Sequence, residues 1–379
     1  MVWSEMYRLS RSKNDVLRSS AAAVVAVLAV AAGLAGDCVA VGDPLEDSSA
    51  LLQREFDQLK PGEALTLDRE TFNHDSVLHI DVPGVRIDGN GARLQATNDE
   101  TSSVQITAPG VTLTNVTLSA PPSGRRWTGL DQHKLVVRAN DVTVRGVVVD
   151  GSAAAGVFVQ GAENFRIDGV TVEDTRADGI HVTGGSGNGQ INNPATARTG
   201  DDGVAVVSYA DDAASCADIV VNSPVVNGTR WGRGVSVVGG ENVSIRNLHV
   251  DGTSGAGVYI ASEGGPQYYT RSAHAIDVSG GTVTNANVNP GVIQGAVLVY
   301  AGNASEDVSN VSVSDLTISN TAKTAQRNIG IVVDAGTVGD IALRGIRLEQ
   351  TSLPALDANT PPSGYSATDF TLDGNAIVP

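Results

Sequence analysis

A glycine followed by an alternating apolar triplet returns along this chain and constrains its fold more than any other feature. Gly156 opens GVFV, Gly179 GIHV, Gly203 GVAV, Gly234 GVSV, Gly257 GVYI and Gly330 GIVV, with GAVLVY from Gly295 a looser copy. From Gly156 to Gly257 the successive spacings are 23, 24, 31 and 23 residues. A second phrase recurs between the glycines, as NDVTVRGVVVDG, ENFRIDGVTVED, ENVSIRNLHVDG and VSNVSVSDLTISN. Each copy holds two short alternating runs with a bend between them, the pattern of half-buried strands. Self-similarity at a period of about 20–50 residues marks a solenoid. Here each period holds about three strands and no helical pattern, so the reading is an all-β parallel β-helix. Val157, Ile180, Val204, Val235 and Val258 then stack inward as a ladder. An antiparallel sandwich would instead place hairpin dipeptides between strand pairs about every 8–12 residues, and nothing in a sandwich requires the longer recurrence.

The two ends read differently. SALLQREFDQLKPGEALTL, from Ser49, reads as a short amphipathic helix, a Pro-Gly turn and a strand. It is expected to cap the open edge of the first coil. After about Pro354 the repeat fades, and these residues are expected to cap the other end. Residues 41–379 are thus expected to form a single β-helix domain. Before it, Arg8, Arg11, Lys13 and Arg18 precede an uncharged run from Ala21 to Gly36. A basic segment followed by a short apolar one reads as a signal peptide or N-terminal anchor over 1–40. The mature protein is expected to begin between about Gly36 and Val41 and to be secreted or held at the cell surface. Cys216 reads as a small buried residue; Cys38 could pair with it outside the cell if the leader is cut before Cys38.

Composition narrows the partners. A net charge of −17 argues against a phosphate-neutralising nucleic-acid binder and is compatible with a polysaccharide, small-molecule or protein partner. No Cys/His metal spacing is present, and GGSGNG (Gly184 to Gly189) opens no helix that would cradle a dinucleotide. No cofactor, no nucleic acid, no membrane contact beyond the N-terminal segment and a monomeric state are expected. The sequons at Asn115, Asn242 and Asn310 read as turn and ladder asparagines.

Stacking converts sequence positions into geometry, because adjacent coils lie about 4.8 Å apart. The residue before each repeat glycine forms a row: Ala155, Asp178, Asp202, Arg233, Ala256. Asp201 sits one residue away. Asp-Gly is ordinarily a turn pair, as expected at Asp88-Gly89, Asp150-Gly151 and Asp251-Gly252. Three carboxylates gathered by register are another matter. Crowding raises at least one pKa, which is what a general acid at neutral pH needs. Arg233, on the next rung, can hold the others ionised or bind substrate oxygen. An outward row, Phe158, His181, Ala205, Ser236 and Tyr259, is expected to floor a surface groove.

RADGIHV, then TGDDGVAVVS, then GRGVSVVGG resembles the polygalacturonase-like glycoside hydrolases (family 28) of the right-handed, pectin-lyase-like parallel β-helix superfamily. That pattern runs Asn-Thr-Asp-Gly, Gly-Asp-Asp-Cys, Gly-His-Gly, Arg-Ile-Lys, and matches in order between about Phe165 and Ile260. The resemblance implies Asp201 as the general acid, Asp178 and Asp202 as the groups that activate water, and inversion at the anomeric carbon. Gly203 replaces the family's Cys and Arg233 its His, while Tyr259 and Ala261 occupy the Arg and Lys positions. Loss of those cations argues against polygalacturonate and for a neutral sugar, with Tyr259 offering a stacking face. The reading is an exported glycoside hydrolase; a non-catalytic glycan-binding β-helix, or a lyase or epimerase, is the alternative. A Ca²⁺ at Asp201 and Asp202 would imply β-elimination, for which the row offers only Arg233 as base.

Insertions in a solenoid project as loops. Three are expected to wall the groove: Ala120 to Lys134, Asn227 to Gly234 and Ser262 to Ser272. Each sets an aromatic by a cation: Trp127 by Arg126, Trp231 by Arg230, Tyr268 and Tyr269 near Arg271. His133, Asp131 and Glu263 are further polar candidates for binding.

Overall fold

The computed structural model describes residues 46–265 and 268–379. The expected leader over 1–40, its cleavage point and Cys38 lie outside the described residues. The described residues form one compact unit. Strands wind into an 11-stranded parallel sheet on one face and a 22-stranded sheet that wraps the others. Among the described residues no helix is long and apolar enough to cross a membrane.

The 11-stranded sheet stacks Val157 on Ile180, Ile180 on Val204, Val204 on Val235 and Val235 on Val258 in parallel register. All five side chains are buried in one continuous core. The repeat glycine has a specific reason. A Cβ on Gly179 would lie 2.5 Å from the Gly203 carbonyl oxygen, and one on Gly234 would lie 2.4 Å from Val250 Cγ1. At this bend the backbone of the next coil and side chains of the other sheet close in together, and only a residue without a side chain fits. The intervening turns use left-handed asparagines: Asn115, Asn242 and Asn310 all have φ 53°, as the reading of the sequons expected.

The helix Ser49–Asp57 buries Ser49, Leu52 and Phe56. Leu52 and Phe56 join the core beneath the first coil, which is the cap expected there. At the other end the expectation is corrected. Coiling continues past Pro354: Leu356–Ala358 pairs in parallel with Ile329–Val333, and Phe370–Leu372 with Arg347–Glu349. The solenoid closes only where Asn375–Ile377 folds back antiparallel on Phe370–Leu372. The apolar phrase is shorter in this coil, so the repeat fades in sequence before it ends in space. Cys216 is buried and unpaired, with Sγ 3.5 Å from the Val207 carbonyl oxygen.

Candidate active site

The predicted rows form as register requires. Asp178 and Asp202 occupy equivalent positions on successive rungs, just ahead of the paired residues Ile180 and Val204. Gly151 and Gly252 adopt φ 84° and 70° as turn glycines; Gly89, against expectation, does not enter the left-handed region, although Asp88 Oδ1 accepts from the Asn90 N–H at 2.9 Å as a turn aspartate does. Gly179 and Gly203 do not enter it either, and Asp178 and Asp202 accept from backbone N–H groups of the next coil instead of their own turn. The Asp-Gly phrases of the cluster are therefore not turn pairs. One carboxylate oxygen each from Asp178, Asp201 and Asp202 lies within 4.8 Å of the others.

The three carboxylates have different partners. Asp178 Oδ2 lies 2.6 Å from His181 Nδ1, and its Oδ1 accepts from the Asp202 backbone N–H at 2.9 Å. Asp202 Oδ1 accepts from the Arg233 N–H at 2.6 Å and Oδ2 from the Ser236 hydroxyl at 2.5 Å. Asp201 Oδ2 accepts from Arg126 Nη1 at 2.7 Å. Protonation follows these environments. Burial pushes Asp178 up, but the hydrogen bond and charge of His181 outweigh it and leave this carboxyl below its ordinary value. Burial, then the charge of Asp178, hold Asp201 above its ordinary value against Arg126 and Arg233. Burial pushes Asp202 up to about 7, despite Arg233. The site thus holds one carboxylate that stays charged and two that accept protons more readily. Their oxygens are close enough to share a cation, but guanidinium, imidazole, hydroxyl and backbone N–H groups already engage one or both oxygens of each.

The other candidates separate into groove and scaffold. His181 lies on the outer face, stacked between Phe158 (ring centroids 5.2 Å apart) and Tyr209 (6.4 Å). His133 stacks on Phe158 at 3.9 Å and its Nδ1 accepts from the Ala155 N–H at 3.0 Å. Burial, first of all, drives His133 down to about 3, so it is a neutral ring built into the wall. Arg233 is held by Glu263 at 3.1 Å and lies 4.2 Å over the Tyr259 ring. Tyr259 donates its hydroxyl to Glu263 at 2.9 Å and is 2% exposed. Its face is covered by Arg233, so the open stacking face expected of Tyr259 is absent. Asp131 accepts from Gln105 at 2.9 Å.

Two insertions are where the sequence put them; the third is not. Residues 120–134 form a strap that delivers Arg126 to Asp201. Within it, Arg125 rather than Arg126 covers Trp127, at 4.0 Å from the ring centroid. Residues 227–234 add a single residue to the bend and no projecting loop: Val225–Thr229 is a regular strand, Thr199 pairs with Thr229 but Val204 with Val235, and Arg230 pairs with Asp174 at 2.6 Å. The other extra residues behind the 31-residue spacing lie at 208–216, between Val204–Val207 and Ala217–Asn222. That loop zips to 263–272: Tyr209 bridges Thr270, and Arg271 donates to carbonyls of Tyr209, Ala210 and Asp212. Trp231, Tyr268 and Tyr269 remain exposed. Tyr209, which the sequence reading missed, faces the cluster. Burial, then the charges of Asp178, Glu263 and Asp201, hold its phenol well above its usual range.

The sequence profile described as a right handed beta helix region matches residues 84–273. Among solved structures, the chain is similar to the catalytic domain of a GH87 alpha-1,3-glucanase in complex with tetrasaccharides. The TM-score is 0.65 and identity 18%, over 88% of this chain and 68% of that one. It is also similar to the mannuronan C-5 epimerase AlgE6 A-module of Azotobacter vinelandii, with TM-score 0.57 and 14% identity over 88% and 97%. A GH87 alpha-1,3-glucanase catalytic unit from Streptomyces thermodiastaticus gives 0.53 and 14% over 87% and 66%. At these identities the likeness concerns the fold. No curated protein matches the chain.

Proposed function

Because the chain belongs to the right-handed β-helix family, we propose that it is an exported glycoside hydrolase acting on a neutral polysaccharide. The observation that carries this reading is the divided protonation of three crowded carboxylates, Asp178 held charged while Asp201 and Asp202 are raised. Pairs of titratable groups whose surroundings push them apart supply an acid and a base to one site.

In this scheme Asp201, the most exposed of the three at 20%, gives its proton to the glycosidic oxygen as the C–O bond breaks. Asp202, charged once pH exceeds about 7, takes a proton from the attacking water. Asp178, the carboxylate that stays charged, activates the water with Asp202, and it also accepts from the Asp202 backbone N–H and orients His181. Inversion at the anomeric carbon rests on the family 28 resemblance alone, because carboxylate oxygens within 4.8 Å of one another are closer than the roughly 6.5–9.5 Å usual for inverting pairs; the product anomer decides it. Arg233, the one cation of the row, is engaged by Glu263, Asp202 and Tyr259, which speaks against a uronate carboxylate there and for an uncharged sugar.

A further support comes from the similar GH87 glucanase domains. Three aspartate-to-alanine variants of such domains hold tetrasaccharides or nigerose, and their replaced positions differ by 23 and by 1. Asp178, Asp201 and Asp202 have the same spacing. α-1,3-Glucan is therefore the first substrate to test.

The test is a panel of α-1,3-glucan, other neutral glucans, polygalacturonate and mannuronan. New reducing ends, ultraviolet absorbance of an unsaturated product, and product anomer and C-5 configuration by NMR are measured in parallel. Reducing ends from a neutral glucan are expected, with a loss of about 10²–10⁴-fold in Asp201→Asn. That loss should shrink on substrates with good leaving groups. An unsaturated or epimerised product would replace hydrolysis with lyase or epimerase chemistry. Binding without turnover would make the protein a glycan-binding module.

A further inference from the structure

The strap 120–134 reaches Asp201 from 75 residues away in sequence, and its anchor is not at the surface. Arg176 lies two residues before Asp178, with a side chain only 4% exposed. Its guanidinium is bidentate on Asp99, with Nη1 donating to Oδ2 at 2.6 Å and Nη2 to Oδ1 at 3.1 Å. The same two nitrogens donate to strap carbonyls, Nη1 to Arg125 at 3.0 Å and Nη2 to Pro121 at 2.8 Å. On the far side of Arg126, the Trp127 N–H donates to the Ala153 carbonyl at 2.9 Å. Arg126 is thus flanked on both sides by fixed backbone. Gly124 seats the strap: it has φ 137°, and a Cβ there would lie 2.7 Å from Arg176 Nη1.

The energetics favour the buried end as the anchor. The Arg126 side chain is 46% exposed against 20% for Asp201, and an ion pair open to solvent on one side contributes too little by itself to order a loop. Buried, multiply bonded arginine is costly to disrupt, because removing any partner leaves a desolvated charge.

We infer that Arg126 takes part in the reaction at Asp201 and that Arg176 is its positioning residue, holding the strap so that the guanidinium meets the acid. This rests on the hydrolase reading. As the proton leaves Asp201 for the glycosidic oxygen, negative charge develops on the carboxylate, and a donor fixed at that atom stabilises it. The other groups facing Asp201 are Asp178 and Asp202, which oppose that charge, Arg233, which favours it, and the neutral phenol of Tyr209.

The experiment reads Asp201 directly. Its carboxyl carbon is followed by ¹³C NMR across pH in the full chain without substrate and assigned by its disappearance in Asp201→Asn. Arg126→Gln should move the titration to higher pH and, on α-1,3-glucan or whichever panel glycan is cleaved, lower kcat about tenfold or more with KM little changed. Arg176→Gln should reproduce the shift, and the double variant should move no further. If Arg176→Gln fails to fold, Gly124→Ala carries the test, since it unseats the strap and keeps the guanidinium. An unmoved titration in Arg126→Gln would overturn the pairing. A shift in Arg126→Gln that folded Arg176→Gln and Gly124→Ala both lack would reduce Arg176 to a structural residue. The titration needs no turnover, so its failure is distinct from failure of the hydrolase reading, which shows as full activity in Asp201→Asn.

Discussion

Replacing Ser236 by alanine isolates one term in the environment of Asp202. The hydroxyl donates to Asp202 Oδ2 at 2.5 Å, and both residues are buried. The other oxygen keeps the Arg233 N–H at 2.6 Å, with the guanidinium of Arg233 farther off at 3.9 Å. A hydrogen bond to a charged group is worth about 1.5–3 kcal/mol, and about 1.4 kcal/mol is a factor of ten in proton affinity. Ser236→Ala should therefore tighten proton binding at Asp202 by roughly 10–100-fold. In the proposed chemistry Asp202 acts as an anion, so the rate climbs as pH rises through its titration. The acidic limb of kcat/KM, which reports the free enzyme, should then move upward by about one to two pH units. Activity at pH 7 should fall, and recover in part above the displaced limb for as long as Asp201 keeps its proton. The profile is measured on any substrate the wild type cleaves, with circular dichroism to establish an intact fold. A folded Ser236→Ala protein whose acidic limb has not moved would refute the assignment of Asp202.

Three other expectations concern the scaffold. Gly179→Ala places a methyl group 2.5 Å from the Gly203 carbonyl oxygen and 2.9 Å from Thr196 Cγ2; overpacking of this kind costs about 1–3 kcal/mol, and an unchanged urea midpoint would contradict the close packing at this bend. Leu316→Ala, at a fully buried position far from the carboxylates, should cost about 2–5 kcal/mol in urea unfolding without altering catalysis. Lys134 is fully enclosed, donating to the Ser102 carbonyl at 2.7 Å and facing His74 Nε2 at 3.0 Å. Burial lowers its ammonium to about 7. Between about pH 7 and the ordinary lysine value near 10.4, the unfolded chain binds a proton that the native chain does not, so stability rises with pH. Lys134→Met should lose that rise; parallel stability–pH curves for the two proteins would show that the amine is not enclosed in this way.

The repeat itself determined the fold and the core of the site. Glycine and alternating valines at 23–24 residues fix the coil length, and parallel stacking then leaves no freedom in register. A position inside one coil lies beside the same position in the next, which is why Asp178, Asp202 and Arg233 could be aligned from sequence, and Phe158, His181, Ala205, Ser236 and Tyr259 with them. What the repeat does not govern, it does not reveal. The 31-residue spacing shows that an insertion exists but not on which corner, so the loop 208–216 and Tyr209 stayed hidden. The C-terminal coil kept its pairing after its sequence had lost the phrase. Contacts such as Arg126 with Asp201, Arg176 with Asp99 and Pro121, and Arg233 over Tyr259 join segments 26 to 77 residues apart. They depend on the path of loops and the rotamers of long side chains. No period relates their positions, because each loop is shaped by contacts made once, whereas each coil is shaped by contacts that its neighbours repeat.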